Sequence, residues 1–175
     1  DVAMARLAPE LDTTIRSKMV QGYKDAYMSL RAQTGAAMSS PLYPGAAQAL
    51  TDLGSASENI LGVATGKSKR GLDKLIEAHG LETVFASQQV ADFHPSKPHP
   101  SMVLQAMAET GVAADDTVMI GDTSFDMEMA AAAGVHGLGV GWGYHPVAAL
   151  TAAQRVLADF ADLPTALEEI WSNRA

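Results

Sequence analysis

From Pro41 onward, the sequence alternates short apolar runs with helical segments, and three of these helices stop at a glycine. The three predicted helices and their terminal glycines are 68–79 with Gly80, 101–110 with Gly111 and 124–133 with Gly134. Glycine suits such a position because it adopts the left-handed conformation of a helix C-terminus at no steric cost. Strands are predicted at 59–64, 83–86, 117–120, 135–140 and 156–158. Strands that alternate with helices predict an α/β fold, an open parallel Rossmann-like sheet with helices on both faces.

The segment before Pro41 lacks this alternation and is predicted to be helical. Asp12 or Thr13 can cap a long helix there, because both side chains accept hydrogen bonds from the first helical N–H groups. A small, polar stretch and then Pro41 interrupt the helical pattern. We therefore predict two parts, a helical segment 1–40 and an α/β core 41–175.

The composition excludes several classes of protein. The formal net charge is −8 and the basic residues are scattered, which argues against a nucleic-acid-binding surface. There is no cysteine, so disulfides, thiolate catalysis and cysteine-ligated zinc are excluded. No apolar run approaches the roughly 20 residues that a membrane-spanning helix needs, and no signal peptide is recognisable. We therefore expect a cytoplasmic protein whose partners are neither nucleic acid nor membrane.

The run 120–126, Ile-Gly-Asp-Thr-Ser-Phe-Asp, places two carboxylates at the junction of a predicted strand and a predicted helix. In an open α/β sheet, ligands bind at the carboxyl ends of the strands. Asp122 and Asp126 would lie there, and Mg2+ takes oxygen ligands and often needs only one or two from the protein. The pair therefore indicates a magnesium site, although a turn aspartate followed by a helix-capping aspartate would give the same spacing.

A phosphate-binding corner is predicted directly after the first strand. Thr65 offers a hydroxyl and Gly66 a flexible backbone with an exposed N–H group at a helix start, and such amides bind anions. Residues 62–68 also approach the pattern of a nucleotide P-loop. That motif needs four residues between its glycines, whereas this sequence has three. A P-loop nucleotidase is therefore the remote alternative.

Lys97 lies in the proline-rich run 95–100, Pro-Ser-Lys-Pro-His-Pro. Prolines on both sides restrict the backbone, so this loop can hold an ammonium group over an anionic site at a lower entropic cost. A solvated lysine in a surface loop is the other interpretation. His94, His99 and His145 do not have the spacing of helical metal ligands, so turn or surface roles are predicted for them.

Taken in order, these runs resemble the motifs of the haloacid dehalogenase superfamily. Residues 62–67 are similar to its second motif, 96–100 to its third and 120–126 to its fourth. The likeness covers residues 41 to about 171, and within the superfamily the chain looks most like the phosphoglycolate phosphatase group. The resemblance implies a Rossmann-like core and makes the segment 1–40 a remnant of a helical cap.

The resemblance also implies a reaction and a role for each residue. Enzymes of this superfamily hydrolyse phosphate monoesters through an aspartyl-phosphate and use Mg2+ to neutralise charge. Thr65 and the Gly66 amide would bind the phosphate and Lys97 would hold both nucleophile and phosphate, so Thr65 and Lys97 are the expected catalytic residues. Asp122 would be a direct Mg2+ ligand, whereas Asp126 would act indirectly, through water or by hydrogen-bonding Lys97. The implied substrate is a small phosphorylated metabolite such as phosphoglycolate.

The sequence departs from the superfamily at the first motif. No Asp-x-Asp run after an apolar strand is present, so the nucleophile, the acid/base and one Mg2+ ligand are missing. We therefore expect a fragment of a longer protein, inactive by itself, with a gap where the superfamily has its central strand. Direct pairing of the flanking strands is the other arrangement. A non-catalytic relative that binds a phosphorylated ligand or a partner is the alternative function.

Overall fold

The computed structural model describes residues 4, 7–34 and 36–172. The chain divides into two compact units, Asp1–Pro41 and Leu42–Ala175. Residues 1–3, 5, 6 and 35 of the predicted segment 1–40, and residues 173–175 of the predicted core, lie outside the described residues. The assignment of the first unit to a helical cap stays a prediction.

The first unit is mostly helical over its described residues, with a turn and a bend at 9–11. It contains α1 (Thr13–Thr34) and α2 (Ala36–Ser39). The Asp12 carboxylate accepts a hydrogen bond from the Ile15 N–H at 2.9 Å, so Asp12 caps α1. Over the part of the chain that is described, none of the helices combines the length and the apolar character that crossing a bilayer requires.

The second unit alternates strands and helices. Its helices are α3 (Ala46–Ser55), α4 (Lys69–His79), α5 (Ser101–Thr110), α6 (Ser124–Ala133) and α7 (Leu163–Ser172). Its strands are β1 (Gly62–Thr65), β2 (Ser87–Val90), β3 (Val118–Gly121), β4 (His136–Val140) and β5 (Arg155–Leu157). Short 3-10 turns lie at Ala114–Asp116, Val147–Ala149 and Phe160–Asp162. This order confirms the α/β class predicted from the sequence.

The helices of the second unit end where the glycines predict. Gly80, Gly111 and Gly134 have φ angles of 66°, 72° and 72°. The N–H of each glycine donates a hydrogen bond back to the last turn of its helix. At the other end of α4, the Ser68 hydroxyl accepts a hydrogen bond from the Gly71 N–H at 3.2 Å. Local capping chemistry therefore sets the length of these helices.

All strand pairs are parallel, and the described strands form two sheets. β1 pairs with β2, while β3, β4 and β5 pair in that order. β1 and β3 are both edge strands, and among the described residues they do not pair with one another. Thr65 and Gly66 lie at the carboxyl end of β1, and Asp122 directly follows β3. Three of the predicted site residues, Thr65, Gly66 and Asp122, thus lie at or directly after the carboxyl ends of β1 and β3.

A cavity of about 660 Å³ lies between β1 and β3. Residues 62–64 of β1 and 118–120 of β3 line it, together with Leu53, Val103 and Leu167 from the helices. An edge strand leaves backbone N–H and C=O groups without ladder partners, and such groups are costly to bury unpaired. The cavity therefore lies beside the unpaired edges of β1 and β3.

Helices α5 and α6 connect the two sheets through packing. Met102 of α5 and Met129 of α6 are buried in one apolar cluster, against which Ala64 of β1 and Met119 of β3 both pack. A second cluster joins β4, β5 and α7, and a third joins α4 and β2. The first cluster sets the relative positions of β1 and β3 although these strands are not paired.

The prediction of a strand at 83–86 is wrong. Residues 82–84 form turns, and the strand is Ser87–Val90. Its Ser87 and Gln89 residues are only 1% and 5% exposed, so this strand lacks the apolar pattern that marks a buried strand in a sequence. Hydrogen bonds from both side chains to Glu109 satisfy their polar groups instead.

Candidate active site

The Lys97 side chain joins the end of β1 to the start of the helix that follows β3. Its Nζ donates a hydrogen bond to the Ala64 carbonyl oxygen of β1 at 3.0 Å and to Asp126 Oδ1 at 2.6 Å. Asp126 lies in the first turn of α6, shortly after β3. An ammonium group has three protons, so one remains for a ligand. The Lys97 side chain is 20% exposed, which leaves room for that ligand to approach.

Asp126 is a buried carboxylate whose two oxygens are both engaged. Oδ1 pairs with Lys97, while Oδ2 accepts hydrogen bonds from the Thr123 N–H at 3.0 Å and the Thr123 hydroxyl at 2.7 Å. Thr123 caps α6 and accepts in turn from the Asp126 N–H, which completes a capping box. Asp126 therefore caps the helix and pairs with Lys97 at the same time. These contacts suit the indirect role predicted for it.

Gly121, the last residue of β3, leaves the room that Asp126 occupies. A Cβ atom at this position would lie 2.3 Å from the Asp126 Cβ and 2.6 Å from its Cγ. Any residue other than glycine would therefore overlap the carboxylate or force α6 away from the strand. The close approach of α6 to the end of β3 depends on this glycine.

Asp122 is held by the loop that follows β4. Its Oδ2 accepts a hydrogen bond from the Tyr144 N–H at 3.0 Å, and its carbonyl oxygen accepts one from the His145 N–H at 3.2 Å. Gly143 packs against the side chain, since a Cβ atom there would lie 2.1 Å from the Asp122 Cβ. Within the described residues, Oδ1 of Asp122 has no hydrogen-bond partner. That oxygen is available to a ligand.

These contacts fit a magnesium ion at Asp122. One oxygen of this carboxylate is fixed by a backbone N–H while the other is open, and Mg2+ is often held by only one or two carboxylates. Across residues 4, 7–34 and 36–172, no group of three or more histidine, aspartate or glutamate side chains is placed to enclose a metal. Asp122 would therefore supply one ligand, and water and substrate phosphate would supply others.

Thr65 and Gly66 form an open turn at the carboxyl end of β1. The Thr65 Oγ1 accepts a hydrogen bond from the Lys67 N–H at 3.2 Å, so the hydroxyl proton remains to be donated. Gly66 is exposed, and no described residue accepts a hydrogen bond from its N–H. Two donors are thus available beside the N-terminus of α4, an arrangement that binds anions.

One cavity of about 550 Å³ brings the sequence-predicted residues together. Its lining includes Thr65, Gly66, Lys97, Asp122 and Asp126, which come from three separate loops. Donors for an anion and an open carboxylate for a cation therefore share one space. The individual roles of these residues in binding and catalysis stay predictions.

The loop after β4 is the part of this site that could not be predicted from the sequence. The turn or surface role predicted for His145 is incomplete, because its Nδ1 accepts a hydrogen bond from the Ser124 N–H at 3.1 Å. The pKa of the Tyr43 phenol is raised, mainly by burial and to a smaller extent by the charge of Asp122 and by the neighbouring Tyr144. No spacing pattern links these residues to Asp122, and only the glycine-rich run after β4 hints at a crowded turn.

The sequence matches the haloacid dehalogenase-like hydrolase family over residues 3–140, which is well over half of the chain. The chain belongs to this family. A probable phosphatase of Dickeya dadantii (strain 3937), IndB, is 40% identical over 121 residues, which are 67% of this chain and 52% of that protein. A phosphoglycolate phosphatase of Caulobacter vibrioides is 33% identical over 159 residues, which are 89% of this chain and 64% of that protein.

A solved structure of a haloacid dehalogenase-like hydrolase from Streptococcus pneumoniae, SP0104, superposes with a TM-score of 0.77. It is 22% identical and the match covers 93% of this chain and 75% of that one, a likeness that shows the fold alone. The chain studied spans 52% of the length of the first of the two curated relatives and 64% of the length of the second. The P-loop alternative finds no support in these matches.

Proposed function

We propose that this chain forms the phosphate- and cation-binding part of a Mg2+-dependent phosphatase for a small phosphate monoester. Membership of a hydrolase family and two relatives named as phosphatases support phosphoester chemistry. The proposal rests above all on the single cavity in which hydroxyl, amide, ammonium and carboxylate groups from three loops meet. A phosphate ester and a divalent cation together need this combination of donors and an open carboxylate.

The residues of this chain would act on a phosphoryl group by binding it and compensating its charge. The Lys97 ammonium, the Thr65 hydroxyl and the Gly66 N–H would donate to its non-bridging oxygens. Asp126 would keep the ammonium group at the end of β1 through their 2.6 Å contact. Mg2+ bound at Asp122 would neutralise the charge between the phosphate and an incoming nucleophile.

The nucleophile is proposed to be an aspartate on a strand between β1 and β3, which would carry the phosphoryl group as an aspartyl-phosphate. This sequence contains no Asp-x-Asp run that could supply it. The unpaired edges of β1 and β3 and the cavity of about 660 Å³ between them support a strand at this place. A strand there would pair with both edges, and its carboxyl end would reach the level of Thr65 and Asp122.

The chain by itself should release no phosphate from phosphoglycolate or p-nitrophenyl phosphate in the presence of Mg2+. The same chain preceded by an apolar strand that ends in an Asp-x-Asp run should release phosphate, because nucleophile and acid/base are then supplied. A colorimetric phosphate assay measures both proteins. EDTA should stop the reaction of the extended protein, and added Mg2+ should restore it.

In the extended protein, Asp122→Asn should lower turnover by more than about a hundredfold, because losing even an outer-shell partner of a metal costs about 10- to 100-fold. Asp115→Asn is the matched control, since Asp115 is an exposed aspartate in the turn before β3 and should not affect turnover. Full activity in Asp122→Asn would contradict the cation-ligand assignment. An extended, folded protein without phosphate release would contradict the phosphatase.

Phosphoglycolate is proposed as the substrate because relatives of this chain carry that name. Other sugar phosphates, nucleotides and pyrophosphate are the competing substrates. The values of kcat/KM for these compounds in the extended protein compare them directly, and a higher value for any competitor would replace phosphoglycolate.

A second candidate function is binding of a phosphorylated ligand or partner without turnover. The lack of an Asp-x-Asp run in this sequence favours it. It predicts that the natural protein binds phosphoglycolate in a calorimeter but releases no phosphate from it. Phosphate release by the natural protein would rule out this second function.

A further inference from the structure

The loop that carries Lys97 is closed by an imidazole ring. His94 precedes Lys97, and its Nδ1 lies 2.8 Å from the Oγ of Ser101, the first residue of α5. Its Nε2 lies 2.9 Å from the Oε1 of Gln89, which belongs to β2. One side chain therefore ties the strand before the loop to the helix after it. The turn or surface role predicted for His94 misses these two contacts.

Glu109 sets the direction of these hydrogen bonds. Its carboxylate accepts from Ser87 Oγ at 2.7 Å, from Gln89 Nε2 at 2.8 Å and from Gln105 Nε2 at 3.1 Å. These hydrogen bonds lower the pKa of the Glu109 carboxyl, and the bond from Ser87 has the largest effect. The carboxyl is therefore ionised at neutral pH. Because a carboxylate only accepts, the Gln89 amide must turn its nitrogen toward Glu109 and its oxygen toward His94.

The tautomer of His94 follows from this orientation. Nε2 donates to the Gln89 amide oxygen, so Nδ1 of the neutral ring accepts from the Ser101 hydroxyl. A protonated ring can donate from Nδ1 to the same hydroxyl oxygen, so the tie does not depend on the charge of the ring. Gln89 is only 5% exposed, and at such depth an unmade hydrogen bond is costly. His94 is therefore anchored firmly at the strand end of the loop.

We propose that His94 is a positioning residue for Lys97, an inference that rests on the proposed function, in which Lys97 binds phosphate. The contact between His94 and Ser101 closes the segment that contains Lys97, and a closed segment has fewer conformations to lose when the ammonium group is ordered. Lys97 then reaches Ala64 and Asp126 at a smaller entropic cost. His94 does not line the cavity, so it acts through the loop.

The reactivity of the Lys97 amine reports how firmly the loop holds it. Competitive acetylation of the whole chain, followed by mass spectrometry, gives the rate at Lys97 relative to the exposed Lys74. His94→Ala removes both ties of the imidazole. We expect the relative rate at Lys97 to rise roughly fivefold, because each lost hydrogen bond shifts such an equilibrium by a factor of a few.

Two conservative variants separate loop closure from general stabilisation. Asparagine places an amide near the position of the imidazole Nδ1 and can keep the bond to Ser101, whereas glutamine reaches the position of Nε2 and can keep only the bond to Gln89. We expect a rate close to that of His94→Ala in His94→Gln, which loses the bond that closes the loop, and a smaller rise in His94→Asn, which loses only the anchoring bond to Gln89. Gln105→Ala removes a hydrogen bond to Glu109 outside the loop and should leave the rate unchanged.

A native rate at Lys97 in a folded His94→Ala protein overturns the proposal. Equal rates in the asparagine and glutamine variants overturn it too, because a role in stability alone does not distinguish the two ends of the ring. If circular dichroism shows His94→Ala to be unfolded, Ser101→Ala deletes a single hydroxyl and must raise the rate instead. The two proposals can fail separately. If His94→Ala raises the rate at Lys97 but the native chain extended by the additional strand releases no phosphate, the positioning role is supported and the proposed function is contradicted.

Discussion

Replacing Lys97 with methionine should lower the free energy of unfolding by about 3 to 5 kcal/mol, the usual cost of removing one partner of a buried charge pair. The Asp126 side chain is only 6% exposed, so loss of the ammonium group leaves a buried charge. The capping-box donors of Thr123 remain, but they reach only Oδ2. The Ala64 carbonyl also loses its lysine donor. Urea denaturation followed by circular dichroism measures the change.

Lys69→Met is the matched control for this variant. Lys69 pairs with Asp73 on the surface of α4, where the two side chains are 45% and 52% exposed. Such surface pairs contribute only about 0 to 1 kcal/mol. The double variant Lys97→Met/Asp126→Asn should lose less than Lys97→Met alone, because an amide leaves no charge to bury. A loss below about 1 kcal/mol in Lys97→Met would mean that the pair is no stronger than one on the surface.

Gly121→Ala should lower the free energy of unfolding by about 3 kcal/mol, at the upper end of the usual cost of overpacking. The added methyl group would lie 2.3 Å from the Asp126 Cβ. Asp126 cannot retreat without breaking either its capping box with Thr123 or its contact with Lys97. The same urea experiment measures the loss, and acetylation of Lys97 should become faster in the folded variant.

Gly54→Ala is the control for the added methyl group. Gly54 lies within α3, and its new Cβ would have Leu61 Cδ1 at 3.8 Å as its nearest neighbour, an ordinary contact. Within a helix, alanine is more stable than glycine by about 0.5 to 1 kcal/mol. This variant should therefore be at least as stable as the native chain. A Gly121→Ala protein of native stability would show that the end of β3 can move away from α6.

The helices could be predicted from neighbouring residues alone. Gly80, Gly111 and Gly134 each end a helix in the left-handed conformation that glycine adopts without strain. Thr123 and Asp126 form a capping box within a single turn. These capping interactions join residues only a few positions apart, so they can be predicted without knowledge of the tertiary structure. The α/β class and the position of Asp122 after a strand follow from the same local patterns.

The strand β2 could not be predicted in the same way. Its buried side chains Ser87 and Gln89 are polar, and their partner Glu109 lies on α5, about twenty positions further along the chain. A sequence pattern shows polarity but not the partner that satisfies it. Apolar residues therefore favour a strand at 83–86, whereas the strand is Ser87–Val90. The same network anchors His94, which the sequence shows only as an isolated histidine.

The same distinction between local and long-range interactions applies to the candidate site. Thr65, Lys97, Asp122 and Asp126 were predicted from their local runs together with the order of those runs along the chain. The contacts among them were not, because Lys97 meets Ala64 across 33 positions and Asp126 across 29. That β1 and β3 leave a cavity between them, while residues of both pack against one apolar cluster, is visible only in the tertiary structure. Capping and turn preferences are short-range and are written in the local sequence, whereas pairing, burial and charge neutralisation are properties of groups that meet only after the chain has folded.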